Sequence, residues 1–262
     1  MNKAYKIQLF ALVNTIISIF GIWYTQSLYW LIIGLMSFAF VMIFSVNIGL
    51  HRFTCHRSFK TGVIRTKLLK YLTVISGFGS PLSWSAMHRY HHKYSGGSKD
   101  NQSPENIGYI RAWLTLYDPI KIPPKMVRDI IKDEDYAFIH RHYWKILSSY
   151  ILVLYLINPL VGIFMFSFPA ACCYQAAGAF GVIPHSKRFG YIVKKQRGDD
   201  TSVNSPLASL LSWGEGWHNY HHTVAKDYRQ GHKWWEIDPP AWFIEKLFLG
   251  ERHGLRNRHI YR

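Results

Sequence analysis

The chain of 262 residues is 49% hydrophobic and 16% aromatic, yet it carries a formal net charge of +16. Charge gathered in blocks between long apolar runs excludes an ordinary soluble domain and is the profile of a membrane protein. The three cysteines argue against a disulfide scaffold, since Cys172 and Cys173 lie inside an apolar run and Cys55 falls among histidines.

In chain order, Tyr5 to Trp23 and Tyr29 to Leu50 are apolar stretches, each near the roughly 20 residues needed to cross about 30 Å of hydrocarbon. Lys3 and Lys6 precede the first, but no A-x-A-like site follows it and a second apolar run comes at once, so a cleaved signal peptide is not expected. The partly apolar segment from Leu68 to Met87 contains Gly77, Gly79 and Pro81 and reads as an interfacial or re-entrant helix. A further apolar block from Ile146 to Ile183 is broken by Asn158 and Pro159, which predicts a helical hairpin. The expected architecture is therefore an all-α integral membrane protein with four spans in two hairpins, at about 5–23, 29–50, 146–158 and 160–183. Segments 51–145 and 184–262 form a helical cap, and the whole of 1–262 is one domain. None of the 31 Lys and Arg residues falls between Tyr24 and Leu50 or between Ile146 and Ile183. The positive-inside bias then makes the protein multi-pass with both termini and the cap cytoplasmic. Because the basic residues flank spans and no nucleic-acid motif is present, they are assigned to lipid headgroups and acidic substrate carriers, not to nucleic acid. Pro240 to Leu249 has amphipathic spacing suited to lying on a membrane or on the cap.

The chemistry is carried by histidines, of which there are fourteen. Three clusters stand out: His51 and His56 in His-Arg-Phe-Thr-Cys-His, then His88, His91 and His92, then His218, His221 and His222. In the last two the spacing i, i+3, i+4 places three imidazoles on one helix face, within reach of a shared metal centre. Neutral imidazole suits iron, copper and zinc, and a single zinc takes about four ligands, so eight clustered histidines indicate two metals. His140, His142, His232, His253 and His259 lack partners at ligand spacing and are left outside the site.

The strings His51 to Phe59, His88 to Ser95, and Gly214-Glu215-Gly216-Trp217-His218-Asn219-Tyr220-His221-His222 strongly resemble the three histidine boxes of the membrane fatty-acid desaturases, in particular the delta-9 acyl-CoA and acyl-lipid branch. Asp199 to Asn204 before the last box fits the same branch. The resemblance implies an oxygen-dependent fatty-acyl desaturase with two iron ions, Fe2+ when reduced, and O2 as co-substrate. It introduces a cis double bond at delta-9 into an acyl chain carried on CoA, ACP or a glycerolipid. Family members bring a ninth histidine from the segment after the last span, and His185 matches it. The asparagine four residues before it in the family is Gly181 here, and the histidine often met after Ser103-Pro104 is replaced by Gly108-Tyr109-Ile110-Arg111-Ala112-Trp113.

Asp100, Asp199, Asp200, Glu215 and Asn219 are the candidates to orient the imidazoles through their free N–H groups. Trp84, Trp113, Trp213 and Trp217 are candidate walls of an apolar acyl pocket, and Arg52, Arg89, Lys93 and Arg111 could receive a phosphate-bearing carrier. No iron–sulfur, nucleotide-binding or haem-binding pattern is present in the sequence, which implies a separate electron donor of the ferredoxin or cytochrome b5 type. The competing readings are a membrane diiron lipid hydroxylase, separated by product chemistry, and a metal-handling membrane protein, which would need polar residues along its spans.

Overall fold

The computed structural model describes residues 3–100, 102–114, 122–196 and 198–249. Among these, all regular structure is helical, with only two isolated bridges, Tyr191 to Asn204 and Asn204 to Trp217. His253 and His259 lie outside the described residues.

Helices α1 (Lys3–Thr25) and α2 (Leu28–Phe40) make a hairpin that turns at Gln26. α2 runs directly into a wide π-helix, π1 (Val41–Cys55). α3 (Val63–Leu72) follows, then a tight turn with Gly77 and Gly79 at φ 74° and 86°, then α4 (Pro81–Tyr94). The Leu68 to Met87 segment is thus broken at its glycines instead of forming one helix. Ser80 caps α4 by accepting a hydrogen bond from Ser83 N, and Pro81 sits where no backbone donor is needed.

Short helices α5 (Pro104–Ile107), α6 (Tyr109–Leu114) and α7 (Arg128–Ile131) lead to α8 (Glu134–Ile157), capped by the Asp133 side chain. α8 ends at Asn158, whose side chain accepts from Leu160 N and starts α9 (Pro159–Gly162). The helix continues as π2 (Ile163–Ser167) and α10 (Phe168–Val182), so Asn158 and Pro159 break the apolar block as the sequence predicts. α11 (Pro206–Ser212), α12 (His218–Thr223), α13 (Pro239–Phe243) and π3 (Ile244–Phe248) complete the cap.

Among the described residues three helical stretches are long and apolar enough to cross a membrane: Lys6–Thr25, Leu28–Cys55 and Pro159–His185. The segment expected as the remaining span is the far half of α8, whose first half carries Glu134, Asp135, Arg141 and Lys145. About 12 apolar residues follow, which extend only about 18 Å as helix. Leu12, Ile16 and Ile19 on α1, Met36 on α2 and Leu156 on α8 are exposed, while Phe164 of π2 is fully buried at the centre of the helix packing. The spans approach closely where residues are small. A Cβ on Gly21 would lie 2.5 Å from Ile163 Cγ2, and one on Gly34 would lie 2.8 Å from Phe168.

Two packing clusters seat the cap on the spans. Ile139, Tyr143 and Leu147 of α8 pack on Val74 and Phe166. Ala241, Ile244 and Phe248 pack on Ile43 and Ile48 of π1, leaving Trp242 and Leu247 exposed on the opposite side of that final segment.

Candidate dimetal centre

π1 carries His51 and delivers His56 at its end; α4 carries His88, His91 and His92; the turn after α10 presents His185; α12 carries His218, His221 and His222. The helical winding explains the first spacing. Residues five apart on an α-helix point about 140° away from each other, which is incompatible with one metal. On a π-helix of roughly 4.4 residues per turn the same pair is only about 50° apart. The bond from His56 N to His51 O, 3.0 Å, is of that wider i to i+5 kind, and the two rings meet with centroids 4.8 Å apart.

The nine histidines fall into two groups, each with ligand atoms within 4.8 Å of one another: His51, His56, His88, His92 and His221 in one, His91, His185, His218 and His222 in the other. The H-x-x-H-H triplets are therefore split. α4 gives His88 and His92 to the first group and His91 to the second; α12 gives His221 to the first and His218 and His222 to the second. Each helix serves both groups, which fixes the groups side by side.

In the first group His51 Nε2 lies 2.9 Å from His88 Nε2 and 3.0 Å from His221 Nε2, and His92 Nε2 lies 3.0 Å from both of those. Four nitrogens thus close a ring of near-equal edges. Nitrogens about 2.1 Å from one metal stand about 3.0 Å apart at right angles, against about 3.4 Å in a tetrahedron. His56 Nε2 is buried without a hydrogen-bond partner beside this ring, and so is His222 Nε2 in the second group, where His185 Nε2 and His218 Nε2 are 3.0 Å apart. Converging bare nitrogens and orphaned buried acceptors are what a cation would satisfy, so the residues fit two metal ions.

Carboxylates set the tautomers that make this possible. His51 Nδ1 pairs with Glu215, His91 Nδ1 lies 3.0 Å from both Asp100 oxygens, and His222 Nδ1 is 3.3 Å from Asp200. A carboxylate accepting from Nδ1–H leaves Nε2 as a lone pair facing the centre. Burial raises the Glu215 carboxyl, but the charge of Arg52 and the contact with His51 bring it down to about 2. Asp100 and Asp200 are likewise held below the usual carboxylate range, their hydrogen bonds with His91 and His222 outweighing burial. Burial, and then the neighbouring imidazoles, push His56, His88, His92, His218 and His221 well below the ordinary histidine value. These rings are neutral at pH 7, the form that binds metal.

Residues 25–250 match the family model described as fatty acid desaturase. The chain belongs to that family. It is 30% identical over 220 residues to the sn-1 stearoyl-lipid 9-desaturase of Anabaena variabilis, covering 80% of this chain and 74% of that protein. It is 28% identical over 209 residues to the Delta-9 acyl-lipid desaturase 2 of Arabidopsis thaliana, covering 78% and 66%. To the probable acyl-CoA desaturase of Schizosaccharomyces pombe it is 30% identical over 227 residues, covering 76% of this chain but only 43% of the yeast protein. The protein is thus an oxidoreductase of the desaturase kind, with a membrane setting and histidine clusters suited to metal.

A cavity in the desaturase runs beside both groups, lined by apolar Met42, Val46, Phe78 and Phe180 as well as by His51, His88, His91, His185 and His218. Trp84 forms part of this wall and stacks on His88 with centroids 4.7 Å apart. Trp113 and Trp213 line a separate groove on the flank of the spans, with Trp113 Nε1 donating to Gln175. Trp217 touches neither; it is buried and donates to Ile237 O. Gly181 lines the cavity one turn before His185, and a Cβ there would meet nothing within 4 Å.

Two of the basic residues expected at the carrier site are elsewhere. Arg52 is 1% exposed and donates to Glu215, Asp238 and Tyr228 O, because its helix turns it away from the surface and between two buried carboxylates. Arg89 binds Cys55 O, Met126 O and Asp129, tying α4 to the first histidine segment. Lys93 and Arg111 are exposed. Asp199 is exposed and meets no histidine among the described residues, whereas its neighbour Asp200 does. Asn219 holds a loop instead of an imidazole, its Oδ1 accepting from Val193 N and Lys194 N. Gln230, 3.3 Å from His221 Nδ1, has no signal in the sequence, since it lies eight residues past the last box in an irregular segment. Of the histidines left outside the site, His140 meets Ser80 Oγ at 2.6 Å and His232 packs at a tilt on Tyr220, while His142 lies against Phe138.

Proposed function

We propose that this desaturase takes two hydrogens from an unactivated methylene pair of a long acyl chain, at delta-9, leaving a cis double bond. The observation that carries the reading is the apolar cavity running along two adjacent all-histidine groups. The balance is CH2–CH2 + O2 + 2 electrons + 2 protons, giving CH=CH + 2 H2O. His51, His56, His88, His92 and His221 would hold one iron, and His91, His185, His218 and His222 the other. When bound as Fe2+, the pair supplies the redox chemistry that lets dioxygen attack an unactivated C–H bond.

The rest is done by the chain. Glu215, Asp100 and Asp200 fix three imidazoles in the ligating tautomer. Trp84 and Phe180 wall the cavity and keep water from the methylenes, and its apolar length positions one carbon pair against the histidines. Lys93 and Arg111, both exposed, would meet an acyl carrier, whether CoA, ACP or a glycerolipid headgroup. The far half of α8 acts as a fourth, short crossing, which puts both termini and the histidine site in the cytoplasm, within a single domain of residues 1–262. Electrons come from a separate ferredoxin or cytochrome b5 type protein.

The test is expression in a desaturase-deficient host with His92→Ala and His222→Ala as controls, followed by gas chromatography with double-bond location. A delta-9 monoenoic acid absent from both variants is expected. Hydroxylated acids would move the protein to oxygen insertion, and an unchanged profile from folded, reducible protein would refute desaturation.

A further inference from the structure

The geometry points to the face formed by loops 186–196 and 224–237 as the docking surface for a small acidic protein that carries single electrons. This rests on the desaturase reading, whose balance requires two electrons per turnover from outside the chain.

The face is built directly onto the second histidine group. Asn219, the residue after His218, clamps the first loop through 2.8 Å bonds from Val193 N and Lys194 N and a 3.1 Å bond to Lys194 O. Trp217, the residue before His218, is buried and meets Trp235 with centroids 5.8 Å apart. Trp235 in turn lies 5.6 Å from Tyr191, and Lys233 Nζ sits 4.2 Å over Tyr191 and 5.2 Å over Trp235. Buried Glu236 holds the two loops together, accepting from Asn204 and from His232 N and Lys233 N. An aromatic pair therefore connects this face with a residue bonded to a candidate metal ligand.

Lys70, Arg57 and Arg89 elsewhere in the cap are each paired with a carboxylate, and on the face itself Arg229 pairs with Glu245. Lys187, Arg188, Lys194, Lys195 and Lys233 are exposed and form no ion pair among the described residues. The acids within the two loops are engaged: Asp227 by Tyr220 and Arg229 N, Glu236 as above. Trp234, next to Lys233 in the chain, stands 95% exposed. Cations without ion-pair partners on one face with an exposed tryptophan supply a steering field and an anchor, which is how a protein surface of opposite charge is recognised. Tryptophan and lysine also suit lipid headgroups. The loops, however, are tied directly to the histidine site: Tyr228 O accepts from Arg52, which also binds Glu215, the partner of His51, so the face lies beside the histidines.

The test uses the full-length protein, iron-loaded in nanodiscs, as parent, as the K194E/K195E/K233E variant and as a K125E/K132E control at exposed sites outside this face. Reduction is followed by stopped flow with two probes, an acidic [2Fe–2S] ferredoxin and the acidic haem domain of a cytochrome b5, across ionic strength, and with dithionite. The triple variant is expected to accept protein-borne electrons about tenfold or more slowly at low salt, with the control and all dithionite rates unchanged. Equal rates for parent and variant, failure of both probes to reduce the parent, or a loss confined to binding of anionic vesicles would overturn the assignment. Alkene formation by dithionite-reduced parent and O2 reports the desaturase reading separately, so either idea can fail alone.

Discussion

His51 and His56 face each other across one turn of π1 with ring centroids 4.8 Å apart, although five residues separate them. That pairing exists only while the helix keeps its wide winding, and it leaves the buried His56 Nε2 with no partner in the protein. His56→Ala should therefore remove one metal and spare the other, since the second group takes nothing from π1. Metal analysis of the purified variant is expected to fall from two ions to about one per chain, with the helical circular dichroism retained. Two ions at parental affinity would show that His56 is not a ligand.

The π-helix also marks where the sequence was hardest to read. The two H-x-x-H-H strings announce a helix face, and the structure gathers the nine histidines into two groups. How they divide was not legible, because i and i+4 imidazoles share a direction that i+3 only approximates, and assigning each to one of two adjacent groups needs the facing helices. Asn158 and Pro159 gave the hairpin break directly. The charged start of α8 concealed whether its far half crosses the membrane, since length and polarity there point in opposite directions. Arg52 misled for a plain reason: an arginine reads as surface unless its buried partners, Glu215 and Asp238, 163 and 186 residues away, are known.

Asp100 offers a test of the second group alone. Its oxygens hold His91 Nδ1 at 3.0 Å and also accept from Gly96 N and Gln102 N. Asp100→Asn keeps an acceptor but removes the charge that makes His91 a strong ligand. The expected result is a 10- to 100-fold (order of magnitude) loss of affinity at one of two sites in a chelator-competition titration. A uniform loss at both sites would mean that the aspartate acts through the fold.

Because Arg52 is buried between Glu215 and Asp238, its removal strands two carboxylates away from water. Arg52→Ala is expected to cost about 3–5 kcal/mol in denaturant unfolding of the detergent-solubilised protein. Arg52→Lys should rescue little, since one ammonium cannot reproduce the fork that reaches Glu215, Asp238 and Tyr228 O together. The KM for acyl substrate should stay at the parental value wherever the variant is folded. A raised KM with normal stability would return Arg52 to the carrier site.

Two glycines flank the histidines for opposite reasons, and alanine at each separates them. At Gly216 a Cβ would stand 2.0 Å from Ser209 N and 2.5 Å from Ser205 O, both backbone atoms, while Gly216 O itself accepts from Ser205 N at 2.7 Å. Nothing there can rotate aside, so the segment from Glu215 to His218 would have to leave α11, carrying His51's carboxylate partner with it. Gly216→Ala should yield no folded, metal-loaded protein by size-exclusion chromatography and metal analysis. Gly181 is helical, and a Cβ on it meets nothing within 4 Å. Gly181→Ala should fold as well as the parent and gain up to about 0.5–1 kcal/mol from the reduced freedom of its unfolded chain. If instead Gly181→Ala unfolds and Gly216→Ala does not, α11 does not pack on the third histidine segment, and the route by which Glu215 reaches His51 falls with it.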